Sequence, residues 1–166
     1  MPLYLILGFV VAQRLGELAY ARRNTVRLLA RGGTETGAGH YPLFVLLHGS
    51  WLVALAVLVS PEAGINLPLL FVFAALQVAR VWVLLSLGQH WTTRVITVPG
   101  APLVRRGPYR FLRHPNYAIV AAEIAVLPLV FGAWKIAFIY SLLNLALLRH
   151  RIRIENKALA SWRTAD

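Results

Sequence analysis

Three mostly apolar stretches, residues 2–21, 41–60 and 67–88, constrain this chain more than any other feature. Each is close to the ~20 residues a helix needs to cross the hydrocarbon core of a bilayer, where every backbone polar group must be paired within its own segment. A fourth apolar region, residues 117–148, is too long for one span and too short for two spans with an ordinary loop. Pro128 and the run Phe131-Gly132-Ala133-Trp134 divide it, which predicts a tight helical hairpin. The reading is an all-α integral membrane protein with five transmembrane helices, at about residues 2–21, 41–60, 67–88, 117–131 and 134–158, in a single domain over 1–166. Composition agrees, since 58% of residues are hydrophobic and 14% charged, where a soluble domain has about a quarter charged. The absence of cysteine excludes a disulfide framework and any thiolate zinc site.

A formal net charge of +11 invites a nucleic-acid reading, but the placement of the charges answers it. Five helices put segments 22–40, 89–116 and the part after 148 on one side of the membrane. That side carries Arg22, Arg23, Arg27 and Arg31, then Arg94, Arg105, Arg106, Arg110 and Arg113, then Arg149, Arg151, Arg153, Lys157 and Arg163, which is 14 of the 17 basic residues. The opposite loop, 61–66, has Glu62 as its one charge. This asymmetry predicts an amino terminus outside and a carboxyl terminus in the cytoplasm, as in a bacterial inner membrane, with no nucleic-acid partner required. Ala19-Tyr20-Ala21 imitates a signal-cleavage site, yet no basic segment precedes it and Arg22-Arg23 follow, so the first helix is expected to stay as an anchor. Residues 32–39 read as a short flexible loop.

Polar groups inside the spans are costly in hydrocarbon and face protein or water. Arg14 and Glu17 share a helix face and can pair. His48, Gln77, Arg80, Glu123 and Asn144 fit either helix packing or ligand contact, and Lys135 can snorkel to the outer face. The histidines form no i, i+4 pair and lack neighbouring carboxylates, so no metal site is expected.

Two segments can hold a charged small molecule. Residues 107–117, Gly-Pro-Tyr-Arg-Phe-Leu-Arg-His-Pro-Asn-Tyr, join cationic, aromatic and amide side chains at a helix start. Pro115 keeps His114 out of the α region, and free N–H groups at such a start can meet an anion. Tyr109, Tyr117 and Trp91 add aromatic faces suited to an adenine ring or a cationic sulfonium, or to an interfacial belt. In the last helix Asn144, Arg151 and Glu155 recur at i, i+7 and i+11, one helical stripe. Spacing alone also allows a solvated basic helix end with an i, i+4 pair.

Gly107-Pro108-Tyr109, Arg113-His114-Pro115-Asn116-Tyr117, and Arg151 with Glu155 resemble the carboxyl-terminal half of the isoprenylcysteine carboxyl methyltransferase family of membrane enzymes. Gln13-Arg14-Leu15, Gly39-His40-Tyr41-Pro42, Trp91-Thr92-Thr93-Arg94 and residues 151–155 are similar to a small bacterial branch that methylates alkylpyrones or alkylresorcinols. The resemblance implies S-adenosylmethionine as cofactor, bound at a cytoplasmic pocket without a Rossmann domain, and Gly37-Ala38-Gly39 indeed lacks the context of a dinucleotide fingerprint. It implies that Pro102, Leu103, Val104 and Tyr109 line the cofactor site, that His114, Pro115, Asn116 and Tyr117 contact it, and that Glu155 holds its polar end. Arg151 falls at the substrate-binding, catalytic arginine. Ala101 stands where the eukaryotic enzymes have a histidine, so that contact is not carried over.

Methyl transfer from a sulfonium is an in-line displacement governed by alignment of the acceptor oxygen with the methyl carbon. Arg151, always charged, can steady that oxygen, and His114 is assigned to binding before base catalysis. The expected activity is O-methyl transfer to a lipidic hydroxyl of the alkylpyrone or alkylresorcinol type, with membrane lipids around the protein and a lipophilic small molecule as substrate. The alternatives are carboxyl methylation of prenylated cysteine, a membrane reductase, and a non-enzymatic lipid-binding module.

Overall fold

The computed structural model describes residues 1–100 and 104–163, and the side chains of all of these except His40 and residues 157–163. Five α-helices follow one another: α1 (Pro2–Ala30), α2 (Tyr41–Leu58), α3 (Leu67–Leu87), α4 (Pro115–Val130) and α5 (Trp134–Arg163). Among the described residues α1, α2 and the stretch Leu67–His90 are long and apolar enough to cross a membrane, and α4 is a shorter apolar helix. The chain is a mostly helical integral membrane protein with exposed outward-facing residues such as Leu5, Val57, Phe71 and Leu85.

The helix ends depart from the apolar boundaries, each for a local reason. α1 continues past Ala21 to Ala30 because no glycine or proline interrupts residues 22–31 and arginine and leucine favour helix. Its 29 residues span about 43 Å at helical rise, beyond the ~30 Å hydrocarbon core, so the basic last turns stand out of the lipid. It stops where Gly32 takes φ +80° and the Gly33 N–H bonds back to Leu28 O at 3.0 Å. α3 starts on Asn66, whose side chain accepts the Leu69 N–H at 3.1 Å. α4 opens at Pro115, earlier than Tyr117, because proline suits a first turn where its missing N–H is not needed. α4 ends at Val130, one residue before the expected 131, with Pro128 inside its last turn, and the Pro128 carbonyl receives the N–H groups of Phe131 and Ala133 at 3.1 and 2.9 Å. Gly132, at φ +69°, then turns the chain into α5, which runs on to Arg163, beyond the expected end at 158.

The flexible loop expected at residues 32–39, and with it the purely helical description, needs correction. Thr34–Thr36 forms strand β1 and pairs antiparallel with β2, Val95–Thr97, in the register Thr34 to Thr97, Glu35 to Ile96 and Thr36 to Val95. Each strand has three residues, too short to show an alternating pattern, and their pairing spans the whole of α2 and α3. The ribbon is tied by Arg94 to Glu35 at 2.9 Å and by the Thr34 and Thr97 hydroxyls at 3.1 Å.

Packing divides along the bundle. The start of α1, the end of α2, the start of α3 and the α4–α5 hairpin share one apolar core that includes Leu7, Trp51, Leu55, Phe73, Leu127 and Ile136. Mid-bundle lies a closed ionic clasp. Arg80 binds Glu17 through Nε and Nη2, both at 2.6 Å, and Glu123 through Nη1 at 3.0 Å. Arg14 joins the same two carboxylates at 3.0 and 2.7 Å, and Gln77 donates to Glu123 at 2.9 Å. Two arginines thus face two glutamates, so α1, α3 and α4 are joined without net charge, and the open choice for Gln77, Arg80 and Glu123 falls to helix packing.

A 3-10 turn over Gly107–Arg110 packs on α3. Gly107 is at φ +57°, and a Cβ there would come within 2.1 Å of Ser86 Oγ. Gly107→Ala is expected to destabilise the fold by about 2 kcal/mol or more, through left-handed strain plus the clash. A thermal melt of the purified variant in micelles checks this, and an unchanged midpoint would contradict it.

Candidate active site

The Gly107–Arg110 turn fixes the approach to α4. Arg106 Nε donates to Ser86 O of α3 at 2.7 Å, and Pro108 O receives the N–H groups of Phe111 and Leu112, both at 3.1 Å. Pro115 then holds His114 at φ −131°, ψ 60°, outside the helix, while the His114 carbonyl accepts the first helical N–H groups from Tyr117 and Ala118. This geometry folds the His114 ring back onto Tyr117, with ring centroids 5.2 Å apart and planes 12° from parallel.

From the opposite side α5 presents its polar stripe. Asn144 is 1% exposed, Arg151 8%, and Glu155 is half-buried. Tyr117 joins the two charged members: Arg151 Nε donates to its hydroxyl at 2.8 Å, and that hydroxyl donates to Glu155 Oε2 at 2.6 Å. His114 Nδ1 stands 3.7 Å from the same carboxylate oxygen. The Arg151 guanidinium lies over the rings of Phe44 and Tyr117, at 5.3 and 5.6 Å, and its Nη2 donates to Thr93 O at 2.8 Å. A cation is thereby held in place between aromatic faces, one hydroxyl away from an anion.

The residues expected to meet therefore largely do. His114, Tyr117, Arg151 and Glu155 form one connected group, built from segments about forty residues apart in the chain. Tyr109 sits near enough that burial and the Glu155 charge push its hydroxyl well above its ordinary value, which keeps it a neutral phenol. Pro115 is buried as the first residue of α4. Asn116 has its Oδ1 buried with no hydrogen-bond partner among the described residues. Val104 is half-buried in the segment leading to the Gly107–Arg110 turn, whereas Pro102, Leu103 and Ala101 lie outside the described residues. Trp91 lies in a core cluster against which Tyr109 packs. It is 3% exposed, packed with Ala21, Val83 and Ile119, with its carbonyl held by Asn24 Nδ2 at 3.0 Å.

Sequence reasoning missed Thr93 and Phe44, both direct contacts of Arg151. Thr93 acts through its carbonyl, which no side-chain pattern encodes. Phe44 is indistinguishable in sequence from the other apolar residues of α2.

Comparison with known proteins follows the same lines. The isoprenylcysteine carboxyl methyltransferase family model matches residues 67–161, more than half of the chain and including both polar segments. The uncharacterized protein YpbQ of Bacillus subtilis is 36% identical over 163 residues, covering 96% of this chain and 97% of that protein. An uncharacterized protein of Haemophilus influenzae is 24% identical over 159 residues, 91% of each chain. No solved structure gives a significant match.

Proposed function

Because this chain belongs to the isoprenylcysteine carboxyl methyltransferase family of membrane methyltransferases, we propose that it is an S-adenosylmethionine-dependent O-methyltransferase for an acceptor with a lipid tail. The observation that carries the reading is the Tyr117 hydroxyl, which couples Arg151 to Glu155. A guanidinium and a carboxylate joined through one hydroxyl support a reading in which Arg151 seats an acceptor oxygen and Glu155 an ammonium or sulfonium group.

The residues present suit the cofactor. Asn116 Oδ1 is a buried acceptor with no partner among the described residues, and there the contacts of Glu155 all fall on Oε2. Glu155, Asn116, His114, Tyr117 and Tyr109 would hold it, with Pro102, Leu103 and Val104 assigned to the lining by the family motif. When bound, the cofactor supplies a methyl group activated on a sulfonium. Arg151 orients the acceptor oxygen and stabilises its negative charge, which is what an in-line displacement chiefly demands. His114 and Tyr117 offer stacked ring faces, and Phe44 with Tyr117 keeps water from the guanidinium. The distribution of basic residues supports a cytoplasmic position for this end of the bundle, where a water-soluble cofactor is available and the acceptor comes sideways from the lipid.

The preferred acceptor is a hydroxyl of the alkylpyrone or alkylresorcinol type. The family match favours a second acceptor, the carboxylate of a prenylated cysteine, which Arg151 would seat equally well. Purified protein in nanodiscs should bind S-adenosylhomocysteine and methylate an alkylresorcinol, with a farnesylcysteine analogue assayed beside it to choose between them. Tyr117→Phe keeps the stack on His114 but cuts both charge-assisted hydrogen bonds, so turnover should fall about 10- to 100-fold. Absence of S-adenosylhomocysteine binding by the native protein, or full activity in Tyr117→Phe, would overturn the reading.

A further inference from the structure

Asn144 is only 1% exposed, yet neither its Nδ2 nor its Oδ1 has a hydrogen-bond partner among the described residues. Ser141 Oγ, one turn away on α5, and Trp51 Nε1 of α2, in a side chain 2% exposed, are also buried without partners there. An amide left unsatisfied in an apolar interior is costly, so its retention calls for a group that completes it.

Helix geometry indicates where that group lies. Arg151 touches Phe44, while farther along Trp51 shares a core with Ile136, so α2 and α5 run antiparallel against each other. Seven residues carry α2 from Phe44 to Trp51 and α5 from Arg151 to Asn144, the same face and the same direction, about 10 Å deeper into the bundle. Leu47 and Leu148, both buried, occupy the intervening turns.

We infer that Asn144, assisted by Trp51, is a polar subsite for a second, uncharged hydroxyl of the acceptor whose reacting oxygen rests on Arg151. This inference rests on the methyltransferase reading above and narrows its substrate. Asn144 offers one donor group and one acceptor atom, and a neutral hydroxyl satisfies both at once. An anionic oxygen would leave Oδ1 without a proton to accept. A carboxylate acceptor with no second hydroxyl leaves the subsite unsatisfied, so the site discriminates against it.

The test compares native protein with Asn144→Leu and Trp51→Phe in nanodiscs, using an alkylresorcinol and the alkylphenol with the same tail. Equilibrium binding of each probe is measured beside methyl transfer, with S-adenosylhomocysteine affinity reporting an intact fold. The native protein should bind the resorcinol about tenfold or more tighter than the phenol. Asn144→Leu should lose that preference, and Trp51→Phe, which keeps the packing, should lose part of it. Equal binding of the two probes by native protein, or an undiminished preference in both variants, means that Asn144 holds only buried water and overturns the inference. A hydroxyl preference without methyl transfer to either probe sustains the subsite and removes the enzymatic reading; methyl transfer without the preference does the reverse.

Discussion

Arg151→Ala is expected to lower methyl transfer by about 10²- to 10³-fold while S-adenosylhomocysteine still binds. The guanidinium is held at three points, by the Tyr117 hydroxyl, the Thr93 carbonyl and the Phe44 and Tyr117 rings, so its position is set before any acceptor arrives. A donor preorganised in a water-poor site costs little reorganisation when charge moves onto the acceptor oxygen, and its removal falls on turnover more than on cofactor binding. Arg151→Lys separates charge from geometry. An ammonium keeps the positive charge but cannot donate along both the Nε and Nη2 directions, so recovery should be partial, with about a tenfold deficit remaining. Single-turnover rates and cofactor affinity for the two variants decide the matter. Activity in Arg151→Ala within about threefold of native, well below the loss of one preorganised donor, would remove this residue from the mechanism.

Arg80→Met is expected to destabilise the protein by about 3–5 kcal/mol, the cost of breaking a buried ion network by deleting one member. Arg80 meets Glu17 with two nitrogens and also reaches Glu123 with a third. Without it, Arg14 alone faces two carboxylates, and the clasp between α1, α3 and α4 carries excess negative charge away from water. Adding Glu17→Gln restores charge balance, so the double variant should regain part of the loss although it has fewer ion pairs. Thermal and denaturant unfolding in micelles measure both. A double variant less stable than Arg80→Met would show that contacts, and not charge balance, dominate the clasp.

Particular residues show where sequence reasoning reached and where it stopped. The stripe of Asn144, Arg151 and Glu155 was readable because helical period is a local property, and the structure buries it on one face. The start of α4 was readable to within a turn because proline restricts its own backbone and that of His114. Ala21 misled as a helix end, since loss of hydropathy marks the lipid boundary and a helix can continue through water with arginines. Pro128 with Gly132 marked the hairpin to within a residue, because proline removes a ladder N–H and glycine adopts the positive φ that turns the chain.

By itself the amino-acid sequence determined a membrane-embedded helical chain, the asymmetry of its basic residues, and the helical stripe of Asn144, Arg151 and Glu155. These follow from composition and from period, whereas the expectation that His114, Tyr117, Arg151 and Glu155 share one site came from the resemblance of two short motifs to a family. Tertiary structure alone decided that Tyr117 bridges Arg151 to Glu155, that the Thr93 carbonyl and Phe44 hold the guanidinium, that β1 pairs with β2, and that Glu17, Arg80 and Glu123 close on one another. The physical reason is one of range. Helix and turn preferences act over a few residues, whereas these contacts join groups from about thirty to more than a hundred residues apart, and only the packing of whole helices brings them within hydrogen-bond distance.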